Sequence, residues 1–147
     1  MRQWLVTGGC GFVGLGFINY LLSKNYERII IFDNLSNSFI EDLERLTGFT
    51  EIEAPQLKNY RGNEKIFFVK GDILDPNLIN LVMEGVDICI HLAANTGVPR
   101  SVKDPLFDFQ QNVYGVFNLL NSCRINKIKR FVFASSGAPA GVVEPPI

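Results

Sequence analysis

Glycines crowd one short stretch, "LVTGGCGFVG", at positions 8, 9, 11 and 14. Gly9-x-Gly11-x-x-Gly14 matches the dinucleotide fingerprint, and Gly8-x-x-Gly11-x-x-Gly14 matches a close variant. Such glycines let a chain turn tightly off a strand and bring bare backbone against a pyrophosphate. Free N–H groups at the following helix N-terminus then meet the phosphate oxygens, with the helix dipole in favour. Gly14 lets the helix and strand pack closely. Asp33 follows 19 residues after Gly14. A carboxylate there accepts hydrogen bonds from both adenosine ribose hydroxyls and repels a 2′-phosphate, which favours NAD over NADP. Two plainer readings compete: a tight turn without a ligand, and a surface Asp33 that opens a turn with Asn34.

These groups act together only if the chain carries them to one place. Short apolar runs at 3–7, 28–33, 65–72, 86–94 and 129–136 read as strands. Between them, 11–24, 38–48, 75–85 and 104–126 read as helices. Asp75-Pro76 and Asp104-Pro105 supply an N-cap followed by a first-turn proline. Phe109, Val113, Val116, Phe117, Leu120 and Cys123 recur at helical spacing in the long helix. Residues 49–64 are polar and read as an insertion loop. The alternation predicts an α/β fold, a doubly wound parallel sheet of five strands in the order 3-2-1-4-5. Its ligand belongs beyond the strands' carboxyl ends.

Composition narrows the function. At 147 residues and 47% hydrophobic content, the chain has material for one domain with a core. A net charge of −1 without a basic cluster argues against a nucleic-acid partner. Cys10, Cys89 and Cys123 are far apart and form no C-x-x-C pair, so no metal site is expected and a reducing cytoplasm is. The uncharged stretch from Gln3 to Ser23 imitates a signal peptide, yet its glycines disfavour a compact apolar helix or a membrane span.

Five motifs in order resemble the extended short-chain dehydrogenase/reductases, specifically the NAD-dependent epimerase/dehydratase family of nucleotide-sugar enzymes. They are "TGGCGFVG", "FDNLSNS", "KGDILD", "HLAANTGVPRSVKDP" and "FASSGAP". The resemblance implies that Gly8, Gly11 and Gly14 hold the pyrophosphate with backbone help from Phe12 and Val13. It implies Asp33 and Asn34 at the adenosine ribose, with Asp72 and Ile73 at the adenine. Leu92, Ala93 and Ala94 would line the nicotinamide side, with Asn112 and Ser135 near the cofactor. Ser136 matches the family's catalytic Ser/Thr. Plainer roles stay open for Asp72 as a turn residue and Asn112 as a brace. His91 reads as a structural residue at a strand end. Arg100, Ser101 and Lys103 either reach a substrate phosphate or lie on a solvated loop.

Family chemistry oxidises a sugar carbon with NAD and uses a tyrosine base whose pKa a lysine four residues on lowers. Tyr20-x-x-x-Lys24 has that spacing, but Tyr20 lies roughly 9 Å along the helix from Gly14 and so away from the ligand edge. Tyr26, Tyr60 and Tyr114 have no lysine at +4. The chain therefore reads as the N-terminal, NAD-binding part of a longer epimerase or dehydratase, ending before the catalytic helix and substrate domain. A stand-alone NAD-binding module is the alternative. Ala140-Gly141 stands where many members have Tyr-Gly. The long helix commonly packs in a dimer in relatives, so a homodimer is expected.

Overall fold

The computed structural model describes residues 2–24, 28–137 and 141, so Tyr26 and Ala140 lie outside the described residues. The strands are β1 Gln3–Thr7, β2 Arg28–Asp33, β3 Thr50–Glu51, β4 Ile66–Lys70, β5 Ile88–His91 and β6 Arg130–Phe133. The helices are α1 Phe12–Ser23, α2 Ile40–Leu46, α3 Ala54–Leu57, α4 Pro76–Val82, α5 Val98–Lys103, α6 Pro105–Phe109 and α7 Gly115–Asn126. A π turn, Gln110–Tyr114, joins α6 to α7.

All pairings are parallel, and the sheet order is β3-β4-β2-β1-β5-β6. The five expected strands keep the expected order. The correction is a sixth strand, β3, at the edge, inside the segment expected to be a loop. It pairs Thr50 with Phe67 and Glu51 with Phe68. Ile52, Ala54 and Leu57 then turn inward and are buried. Two residues of strand are too few to show a period-two pattern in a sequence.

Neighbouring strand residues feed opposite faces. Leu5, Ile30, Phe67 and Cys89 join Ile79, Met83, Leu119 and Cys123 in one core. Val6, Ile31, Phe68 and Ile90 join Ile18, Leu21 and Leu43 in the other. Both faces are covered, which is why the strands read as unbroken apolar runs. Asp75 caps α4 by accepting from the N–H groups of Asn77 and Leu78, both at 3.0 Å. Asp104 caps α6 by accepting from Phe107 N–H at 3.0 Å.

Of the long helix's apolar row, Cys123 alone is buried. Gly115, Asn118, Leu119, Ser122 and Cys123 face the core, while Phe109, Val113, Phe117 and Leu120 are exposed. Asn118 is held inside because its amide donates to the Ile73 carbonyl at 3.0 Å. Among the described residues, no helix is long and apolar enough to cross a membrane.

Candidate functional site

Thr7 pairs with Phe32 on one side and with His91 on the other. The turns after β1, β2 and β5 therefore open at one edge, with the β1 turn in the middle. Beyond β1 the chain winds first towards β4 and later back towards β6. The crevice between β1 and β5 is where ligands sit in open sheets of this kind.

The glycine turn is tight for reasons its atoms make explicit. Gly8 has φ +68, and a Cβ there would fall 2.6 Å from the Ala93 nitrogen. A Cβ on Gly14 would lie 2.4 Å from the Gly8 carbonyl oxygen. Gly11 N–H closes the turn on the Gly8 carbonyl at 3.2 Å. Gly11 then stands at the N-cap of α1 without a side-chain cap, so the first-turn N–H groups meet no capping side chain. That leaves donors and a positive dipole end for an anion.

Asp33 sits 8% exposed at the end of β2. Its Oδ2 accepts from Cys10 N–H at 3.0 Å, which ties the carboxylate to the glycine turn. Its Oδ1 accepts from Leu35 N–H at 2.9 Å and from the Ser38 hydroxyl at 3.0 Å. Burial first, then the nearby Asp33 charge, pushes the Cys10 thiol up to about 12. Cys10 is thus a protonated packing group rather than a nucleophile.

Gly8, Gly11, Phe12, Val13 and Gly14 line one cavity of about 330 Å³. Asp33, Asn34, Ile73, Leu92, Ala93 and Ala94 line it too. That volume suits a pocket for a sizeable small molecule. Asp72 is not in the lining but bonds to it: its Oδ2 accepts from the Asn34 amide at 2.9 Å, and its Oδ1 accepts from Leu74 N–H at 2.9 Å. Asn112 is not in the lining. Its Oδ1 accepts from Asn95 N–H at 2.8 Å, and its amide donates to the Asn95 carbonyl at 3.1 Å and to Asp108 at 3.0 Å. It braces the loop after β5, while its neighbour Gln111 reaches the cavity. Ser135 and Ser136 are exposed beyond β6 and outside the lining.

Ser36, Asn37, Ser38 and Thr96 also line the cavity and were not singled out in the sequence. The signal for the first three is "DNLSNS": Asp33 accepts from Leu35 N–H and Asn34 from Ser36 N–H, which curls the loop over the site. Gln111 gave no such signal, because its orientation depends on the π turn.

His91 is buried, with Nδ1 2.7 Å from the Thr7 hydroxyl oxygen and the Phe131 and Phe133 rings alongside. Burial pushes its pKa down to about 4, so it is a neutral structural imidazole at pH 7. Lys24 Nζ lies over the Tyr20 ring at 5.8 Å from its centre, at the end of α1 remote from the glycine turn. Among the described residues, no three His, Cys, Asp or Glu side chains gather as a metal site.

A glycine turn, an uncapped helix start and a strand-end carboxylate around one crevice mark an α/β protein of the doubly wound type. The turn that would cradle a dinucleotide needs bare backbone at 8 and 14, where a Cβ would run into the Ala93 backbone and the Gly8 and Gly9 carbonyls. The chain belongs to the NAD dependent epimerase/dehydratase family, whose model matches residues 4–147. It is 34% identical over 134 residues to UDP-glucose 4-epimerase of Mycolicibacterium smegmatis, covering 90% of this chain and 38% of that one. Among solved structures, it resembles UDP-glucose 4-epimerase from Brucella ovis in complex with NAD, at TM-score 0.81 and 31% identity, covering 100% of this chain and 40% of that one. The enzyme from Bifidobacterium longum in complex with NAD+ and UDP gives TM-score 0.81 and 30% identity, covering 99% and 41%. The chain thus spans about two fifths of the length of these relatives.

Proposed function

We propose that this chain is the NAD-binding part of a nucleotide-sugar epimerase or dehydratase of the UDP-glucose 4-epimerase kind. The observation that carries this reading is the meeting of the glycine turn and Asp33 in one cavity. NAD bound there would supply hydride transfer at a sugar carbon. The chain's own residues bind and orient. Backbone N–H groups of Phe12 and Val13 hold the diphosphate, and Asp33 with Asn34 receives the adenosine ribose. Asp72 fixes Asn34 and faces the adenine with Ile73, while Leu92, Ala93 and Ala94 form the wall on the nicotinamide side. Ser135 lies towards the nicotinamide ribose, and Ser136 hydrogen-bonds the reacting sugar oxygen. The tyrosine base and the sugar-nucleotide contacts belong to the rest of a longer enzyme, and residues 1–147 alone are inactive as an epimerase.

Calorimetric titration tests the binding claim. The chain is expected to bind NAD and to bind NADP at least about tenfold more weakly, because the 2′-phosphate would meet the Asp33 carboxylate. Asp33→Asn keeps the side chain's size and removes its charge, so it should narrow the NAD preference by about tenfold. A folded chain that gives no heat with NAD would overturn the reading.

The exposed row on the long helix supplies the homodimer face. Leu106, Phe109, Val113, Phe117 and Leu120 are 65, 54, 53, 59 and 47% exposed. A contiguous apolar surface of this kind marks an association site. Light scattering should find a dimer, and Phe117→Asp should leave a folded monomer. A monomeric wild-type chain at high concentration contradicts this.

A further inference from the structure

The cavity walls hold an electrostatic imbalance. Among the described lining residues there is no lysine, arginine or histidine, and the one charged group is the Asp33 carboxylate. The diphosphate of a dinucleotide would bring two negative charges to backbone N–H groups beside it. The helix terminus offsets only about half an elementary charge.

One cation is tethered to a residue of the cavity lining. Arg100 lies in α5, which follows the loop after β5, and its guanidinium donates to the Asn37 side-chain oxygen at 3.2 Å. Asn37 belongs to the loop after β2 and lines the cavity together with Gly11 and Phe12. Since β1 lies between β2 and β5 in the sheet, this bond links the two segments that flank the glycine turn. The guanidinium also rests on the Phe107 ring, 5.5 Å from its centre, which supports its stem from the side. The bond to Asn37 is a single neutral-acceptor contact. A phosphate offers a charged, two-oxygen acceptor that an arginine fork binds more strongly.

We propose that Arg100 is the counter-charge for the bound diphosphate, leaving Asn37 for the phosphate oxygens and strapping the cofactor between the two loops. This rests on the reading of the cavity as a dinucleotide site. It assigns Arg100 to the cofactor rather than to a substrate phosphate. Lys103, on the same short helix, is not among the residues that line the cavity and has no part in the strap.

The test is NAD titration of the 147-residue chain at low and high salt. Arg100→Gln should weaken NAD about tenfold at low salt, and the deficit should shrink as salt screens the charge in the wild-type protein. Arg100→Lys should recover part of the affinity and keep the salt dependence. Arg124→Gln removes the same charge from α7, where the side chain reaches Asn121, and should behave as wild type. Thermal melting without ligand should be the same for all four proteins, since Arg100 and Arg124 are exposed. If Arg100→Gln binds NAD as tightly as wild type with the same salt dependence, the strap is wrong while the dinucleotide site stands. If the wild-type chain itself fails to bind NAD, the site reading falls and the strap falls with it.

Discussion

Gly14→Ala is expected to lower NAD affinity by at least about 100-fold. The added methyl would sit 2.4 Å from the Gly8 carbonyl oxygen, 2.6 Å from the Gly9 carbonyl oxygen and 2.7 Å from the Gly9 carbonyl carbon. All three are backbone atoms of the turn that would cradle the phosphates, so no flexible side chain can swing aside. The relief must come from spreading the turn, which pulls the N–H donors out of position. Overpacking of this sort also costs about 1–3 kcal/mol of stability. Gly16→Ala is the matched control. Its Cβ would meet nothing within 4 Å, and it lies inside α1. It should bind NAD as wild type and gain about 0.5–1 kcal/mol of stability, because alanine suits a helix interior better than glycine. Calorimetry and urea unfolding read both effects. Equal NAD affinity in the two variants would show that the turn's shape does not matter to binding.

The glycine turn and Asp33 were legible in the sequence because their roles follow from residue type and spacing alone. At position 8 a φ of +68 combines with the Ala93 backbone 2.6 Å from where a Cβ would stand, which leaves glycine, and only backbone fits at 14. The main strands were legible because burial on both faces writes itself as unbroken apolar runs. What escaped depends on context that no local pattern carries. The strand β3 is held by its register with Phe67 and Phe68 rather than by its own two residues. Helical spacing located the apolar row of the long helix but not its direction. Asn118 and Ser122 go inward because Ile73 and Asn80 offer partners, and the row of Phe109, Val113 and Phe117 is then turned outward. That Asn112 takes its bracing role while Gln111 lines the cavity has a related reason. A π turn spans both, and the extra residue in that turn shifts which side chain meets the cavity.

Acid should weaken the fold through His91 in particular. Its ordinary pKa of 6.5 falls to about 4 in the folded chain because burial penalises the charged ring. Folding is unaffected while both states hold a neutral imidazole, above about pH 6.5. Below that, the unfolded chain takes up a proton that the folded one refuses until about pH 4. Stability is therefore lost as pH falls through this window, by about 3 kcal/mol at pH 4. The local bonding points the same way. Nδ1 lies 2.7 Å from the Thr7 oxygen, so with the neutral ring protonated on Nε2 it accepts the Thr7 hydroxyl proton, while Ala93 N–H reaches the same oxygen at 3.4 Å. A protonated Nδ1 would confront that donor with another. His91→Gln offers the Thr7 hydroxyl an acceptor and does not titrate. Between about pH 7.5 and pH 4, urea unfolding should show wild type losing about 3 kcal/mol more than this variant. Parallel losses would mean that His91 reaches water when charged, and that burial does not keep it neutral. Because Thr7 immediately precedes Gly8, the same titration should loosen the glycine turn, so NAD affinity should decline over the same acidic window in wild type and less steeply in the variant.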